Sequence, residues 1–226
     1  MTRPFRVVTA IARKDILIEW RTKTGLLSAL VFAVLILAVQ YVARDPTAVS
    51  ALDIAPAALW ITFSFATMIG LNRAFWLERR HRTLDAILLT GASPNAVFAG
   101  KFLANLWFVG TVELISIPLF VLFYNVPIWR QLPILLLVIF MATIAIVAIG
   151  TVLSSLAVQT PFAELLLPMV LLPFLVPPVV AGVQITARLL AERPLSEISG
   201  WLKLLGGFDV LFVGVCMLLF EATLRE

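Results

Sequence analysis

Six separate apolar runs constrain this chain more than any other feature: residues 25–43, 54–75, 97–123, 132–158, 165–190 and 208–224. A hydrocarbon core about 30 Å thick needs about 20 residues of helix to cross it, and five of these runs approach or exceed that length. The last is the shortest and weakest. Hydrophobic residues make up 62% of the 226 and charged residues 13%, about half the charge of an ordinary soluble domain. The strict alternation of a membrane barrel is absent, which leaves helices as the spanning structure. The expected fold is therefore an all-α integral membrane protein. Six transmembrane helices form a single domain over 1–226.

The pieces between the runs carry most of the detail. Residues 3–24 hold Arg3, Arg6, Arg13, Lys14, Arg21 and Lys23, with Phe5, Val8, Ala12 and Ile16 on roughly one helical face and Trp20 close to it. This pattern predicts an amphipathic helix lying in the membrane interface, its stripe spoiled at the edge by Asp15 and Glu19. A plain cytoplasmic extension of the first span is the alternative. A cleaved signal peptide fits poorly, because the charged lead is long and the run behind it has full spanning length. Gly150, Ser154 and Ser155 in the fourth run are small enough for close helix packing. The fifth run contains Pro168, Pro173, Pro177 and Pro178, so it should be kinked or broken. Residues 191–207 place Leu195, Ile198, Trp201, Leu202 and Leu205 at helical spacing and read as a second interfacial helix, with Asp209 at the mouth of the sixth span.

Charge sets the expected orientation. The N-terminal segment contributes six basic residues, the central loop with its flanks five and the tail one, against five in the loops at the other side. Twelve against five puts both termini and the central loop in the cytoplasm. The net charge of +4 is thus a matter of topology, and nucleic acid is not an expected partner, because the aromatic residues lie within the spans rather than among the cations. Cys216, the lone cysteine, lies inside the last run and acts as a small hydrophobe.

The most charged stretch is the central one, with Arg73, Glu78, Arg79, Arg80, His81 and Arg82 leading into Thr83-Leu84-Asp85-Ala86-Ile87-Leu88-Leu89. Thr83 suits an N-cap, Asp85 sits in the positive first turn, and Gly91 stands where a helix commonly ends. Leu84, Ile87 and Leu88 then form a short apolar ridge within a loop over 77–94. A helix of about two turns is marginal alone in water. It rests on its own protein or the lipid surface, or it docks in a groove on a cytoplasmic partner. Glu113 is the acidic residue well inside a span; it is either a functional ionisable group or a protonated acid hydrogen-bonded to a neighbouring helix. No catalytic constellation is visible. His81 is the only histidine, so this chain assembles no histidine pair for haem and no multi-histidine metal site. Gly100-Lys101 does not complete a phosphate-binding loop, since Asn95, Ala96 and Phe102 stand at its other positions, so any nucleotide belongs to another chain.

Several stretches, in order from about residue 5 to 224, together resemble the CcmB family of haem exporter B proteins in cytochrome c maturation. They are Ile54-Ala55-Pro56 with Leu59-Trp60, Glu78 to Leu89, Gly100-Lys101 with Asn105-Leu106-Trp107, Ile149 to Ser154, and Leu171 to Pro178. The resemblance implies an ABC-2-exporter-like permease subunit in the bacterial inner membrane, present in more than one copy per complex. It implies a CcmA-like ATPase, CcmC-like and CcmD-like membrane subunits and a CcmE-like haem chaperone as partners. On this expectation ATP is bound by the ATPase, haem is handled by the other subunits, and this chain binds no cofactor. Thr83 to Leu89 would be the coupling helix, approached through Arg79-Arg80-His81-Arg82 where the family often has an acidic, glycine-containing stretch. A drug or lipid exporter permease of the ABC-2 type is the alternative, and a small ion-coupled carrier using Glu113 a more distant one, which would need an inverted repeat with paired broken helices.

Overall fold

The computed structural model describes residues 4–81, 92–157 and 163–223, which form seven α-helices. They are α1 (Pro4–Thr22), α2 (Thr24–Ala43), α3 (Ala51–His81), α4 (Pro94–Tyr124), α5 (Leu132–Ala157), α6 (Ala163–Leu190) and α7 (Leu195–Thr223). Six of these, α2 to α7, contain stretches long and apolar enough to cross a membrane. The chain is an all-α, multi-pass membrane protein.

Short connections make successive spans antiparallel. Residues 44–50, 125–131 and 191–194 turn the chain at one end of the bundle, while α1 and the C-terminal ends of α3 and α5 lie at the other. The first turn is an Asx type: Asp45 accepts from the Thr47 hydroxyl at 2.6 Å and the Thr47 amide at 2.8 Å. These bonds hold the Asp45 carboxyl below its ordinary pKa, the hydroxyl contributing most. At the opposite end Lys23 adopts φ 54°, a left-handed conformation uncommon for a residue with a Cβ, and this one residue separates α1 from α2.

The helix at the centre is α5, which packs on α3, α4, α6 and α7, whereas α2 and α7 form the rim with most of their side chains exposed. A small apolar cluster around Ala29, Ala66, Phe108 and Val112 lies between α2, α3, α4 and α5, and two larger ones fill the rest of the interior. One, around Trp60, Phe120, Tyr124, Leu135 and Leu189, lies toward the end with the short turns. The other, around Leu71, Val97, Phe98, Ile149 and Phe220, lies toward the α1 end. Trp60 of α3 lies flat against Gly182 of α6, where any Cβ would overlap its ring, and its indole N–H donates to Thr186 Oγ1 at 2.9 Å. Gly150 of α5 receives Leu71 in the same way. Both contacts are of the small-against-large kind that orders helices in lipid.

Two expectations change. The prolines do not break α6: Pro168, Pro173, Pro177 and Pro178 all lie inside one 28-residue helix. Lipid-exposed irregular backbone costs more than the bonds a proline removes, so the helix continues through them. The second change concerns residues 191–224. No separate interfacial helix precedes a short sixth span; α7 is a single helix of 29 residues. Its buried positions, Ile198, Leu205, Phe212, Cys216 and Phe220, hold one face in phase straight through Gly206-Gly207. Of the five basic residues expected in loops on the opposite side (Arg44, Arg130, Arg188, Arg193 and Lys203), Lys203 lies on this helix and is exposed.

The Trp60 contact yields a prediction. Gly182→Ala forces a methyl group into the indole and should destabilise the purified protein by about 1–3 kcal/mol. Gly110→Ala, with nothing within 4 Å of the added Cβ, should be near neutral. Thermal unfolding of both variants in the same detergent measures the difference.

Candidate functional site

The end of the bundle that holds α1 gathers the residues with the least obvious structural purpose. α1 packs chiefly on α4, with Ile11 and Ala12 buried between them. The approach is close because residue 100 is glycine: a Cβ there would lie 2.8 Å from Ile11 Cβ and 3.0 Å from the Val8 carbonyl oxygen. One residue on, the buried Lys101 ammonium reaches Asp15 Oδ2 on α1 at 3.3 Å, and Asp15 Oδ1 lies 3.0 Å from Lys14. A turn further along α1, Glu19 is 7% exposed and its Oε1 accepts the Leu26 amide at 2.9 Å in the first turn of α2. That amide is one of the unpaired donors at a helix start. Asp15 and Glu19 spoil an apolar stripe when the helix is read alone. In the fold they fasten α1 to α4 and α2. Gly100-Lys101, dismissed as a fragment of a nucleotide loop, supplies the other half of the same contact.

The apolar run 54–75 ends before its helix does: α3 continues to His81, six residues or about 9 Å further. The backbone of Glu78, Arg79, Arg80 and His81 is therefore helical beyond that run, with Arg73 inside it. Residues 82–91, with Arg82, Thr83, Leu84, Asp85, Ile87 and Leu88, lie outside the described residues. The chain re-enters with Ala92 buried and begins α4 at Pro94, after Ser93 in extended conformation. Lys101, held by α1, thus lies two turns into the helix that leaves the central loop.

Inside the bundle, Glu113 on α4 is 4% exposed and meets Thr143 of α5, whose Oγ1 lies 2.8 Å from both carboxylate oxygens. Thr143 Oγ1 is also 2.7 Å from the Ile139 carbonyl. A hydroxyl has one proton. A neutral Glu113 completes the chain by donating to Thr143, which then donates to Ile139. Among the described residues no cation pairs with it. Sequence reading missed the second such group. With α7 beginning at Leu195, Asp209 is its fifteenth residue and lies deep in the span rather than at its mouth. It falls on the buried stripe between Leu205 and Phe212, against the backbone of Ala145 on α5, and its Oδ1 is buried without a hydrogen-bond partner. Thr143 and Ala145 are two residues apart, which is about 200° around α5 and about 3 Å along it. The two carboxyl groups therefore flank the central helix on opposite sides at one depth. The signal that could have found Asp209 was the unbroken seven-residue spacing Ile198, Leu205, Phe212.

The α1 anchor is testable by a double-mutant cycle. Asp15→Asn and Lys101→Met should each destabilise the protein, and the pair together should cost less than their sum. Asp15 keeps 27% side-chain exposure, so the coupling should be about 1–3 kcal/mol. Thermal unfolding of the four proteins gives the number, and strict additivity would remove the ion pair from this account.

Comparison with known proteins covers almost the whole chain. A family model described as CcmB protein matches residues 6–226. A heme exporter protein B of Rhodobacter capsulatus is 26% identical over 199 residues, 84% of this chain and 89% of the relative. A heme exporter protein B of Bradyrhizobium diazoefficiens is 25% identical over 176 residues, 78% and 79% of the two chains. The match takes in α1, all six spans and the central segment together, and the chain belongs to the CcmB family.

Proposed function

We propose that this protein is the membrane subunit of an ATP-driven complex in cytochrome c maturation, and that it carries the motion of a partner ATPase into a six-span bundle serving haem export or release of a haem-loaded chaperone. The observation that carries the reading is the family match over residues 6–226, reinforced by two relatives that are both named heme exporter protein B. In this reading the ATPase is a CcmA-like chain that binds the nucleotide. CcmC-like and CcmD-like subunits and a CcmE-like chaperone handle the haem. This chain contributes no bond-making chemistry.

The mechanical part falls to the α1 end. α3 delivers the basic stretch Arg79-Arg80-His81-Arg82 beyond the span, the ridge Leu84, Ile87 and Leu88 seats in the ATPase, and α4 carries the displacement back into the bundle. Because Gly100 and Lys101 tie α4 to α1, the N-terminal helix moves with it. Asp85 complements the positive first turn of the short helix, while Glu78 and Arg73 lie on its approach. Glu113 and Asp209 flank α5 and hold the bundle register through which the motion passes.

Two experiments test this. Fully burying a leucine in a partner groove is worth about 1.5–3 kcal/mol, and an aspartate there adds a desolvated charge. Leu88→Asp and Leu84→Asp should therefore lose at least tenfold in ATPase capture and fail to mature c-type cytochromes, with normal membrane insertion. Arg80→Ala should have a smaller, salt-sensitive effect. Wild-type capture and maturation in both aspartate variants would end the coupling assignment. Orientation is checked separately, in a Cys216→Ala background with an impermeant thiol reagent on intact cells. Cysteines at Ser50 and Glu192 should label and one at Ser93 should not, as this reading takes both termini to be cytoplasmic from the excess of basic residues on that side, twelve against four once Lys203 is taken as part of α7. The opposite pattern would overturn the cytoplasmic coupling loop.

A further inference from the structure

The outer surface of α1 has a composition that its sequence hides. Residues 4–22 contain two acids, Asp15 and Glu19, and both are turned toward the protein. Arg6, Arg13, Arg21 and Lys23 are all exposed, and none has an ion pair among the described residues. Arg6, Arg13 and Arg21 fall at i, i+7 and i+15, which places them on one side of a helix about 28 Å long. Neither carboxylate lies on this side of the helix, so the positive strip is uncompensated along its length.

Next to the strip lies an apolar flank. On a helical wheel Phe5, Ile16 and Trp20 occupy the arc between the basic strip and the buried face of Ile11, Ala12 and Glu19. Phe5 is 76% exposed and Trp20 59%. α1 therefore presents three lengthwise zones in order: one against α4 and α2, one apolar, and one cationic that also holds the exposed Leu17. An acidic protein surface would match the cations and leave the aromatic flank in water. A phospholipid leaflet matches both, since acyl chains meet the aromatic residues at the depth where phosphates meet the guanidinium groups. Arginine forks also suit phosphate oxygens in bidentate contact.

We propose that the outward strip of α1 is a binding surface for anionic phospholipid headgroups, with Arg6, Arg13 and Arg21 on the strip and Lys23 just past the end of the helix as the contacting cations. Each basic residue near an anionic leaflet is worth about fivefold in binding. Through the Asp15–Lys101 contact the bound leaflet also steadies the first turns of α4. This surface is independent of the central-loop ridge, and either assignment can fail without the other.

The test uses the full chain in nanodiscs, with amide hydrogen exchange read across residues 5–22. Discs of phosphatidylcholine are compared with discs that also contain phosphatidylglycerol. Phosphatidylglycerol should slow exchange in α1 about tenfold, and added salt should weaken the effect. The variant Arg6→Gln/Arg13→Gln/Arg21→Gln/Lys23→Gln should match wild type in phosphatidylcholine, which establishes that α1 is folded, and show no response to phosphatidylglycerol. Should the quadruple variant not insert, Arg13→Gln/Arg21→Gln is used and should lose most of the response. Equal exchange in the two kinds of disc overturns the proposal. So does an undiminished lipid response in the variants, and so does a variant that loses ATPase capture while keeping that response, which would assign the strip to an acidic protein partner.

Discussion

Helices surrounded by hydrocarbon gain nothing from excluding water from one another, so their arrangement depends on how closely their surfaces fit. In this bundle the fit is made where a glycine admits a large side chain from the next helix. Gly182 takes Trp60, Gly150 takes Leu71, Gly70 takes Phe108 and Gly100 takes Ile11. These pairs join α3 to α6, α3 to α5, α3 to α4 and α1 to α4. Each fixes both the separation of two helices and their register, because an aromatic ring or branched chain cannot slide off a glycine without meeting the next turn. The centrality of α5 and the position of α1 follow from these contacts. The indole bond from Trp60 to Thr186 and the amide bond from Asn105 to Thr151 at 3.0 Å then add direction to the packing.

Charge is placed as economically as volume. A polar group in the span must find its partner within the protein: most Ser and Thr hydroxyls here bond back to a carbonyl of their own helix, and a smaller set of side chains reaches a neighbouring helix. Glu113 meets Thr143 on α5, and the Tyr124 hydroxyl reaches the Leu37 carbonyl of α2 at 3.3 Å. Lys101 and Asp15 meet where α1 crosses α4. Asp209 differs from these, since one of its oxygens is buried without a partner at the depth of Glu113 on the other side of α5. The central helix therefore carries a carboxyl group on each flank, one bonded and one incompletely so.

The two ends of the molecule are built differently. At the end with the short turns, connections of a few residues and the cluster around Trp60 and Tyr124 hold the helices together. At the other end α3 continues as helix to His81, and α1, which is not among the candidate spans, packs on the start of α4.

Much of this was legible in the residues taken in order. Apolar run length alone determined six spans, because bilayer thickness fixes the number of residues a helix needs, and the ordered short stretches determined the family. The left-handed break at Lys23 falls within a residue or two of the boundary drawn where the charged lead meets the first apolar run. The interfacial reading of 3–24 found the helix but not its faces. Asp15 and Glu19 looked like flaws because their partners, Lys101 and the Leu26 amide, are 86 and seven residues away, and pairing at a distance leaves no periodic trace. Asp209 was placed at a membrane mouth because residues 191–207 read as a separate interfacial helix, whereas continuous packing against α5 and α6 makes it a middle. The prolines of α6 pointed to a break that lipid does not permit. Local sequence determines which segments are apolar, how long they are and where charge accumulates, since each follows from transfer out of water residue by residue. Only the tertiary structure decides which polar groups meet and which helix face turns inward, since both depend on contacts between residues that the chain keeps far apart.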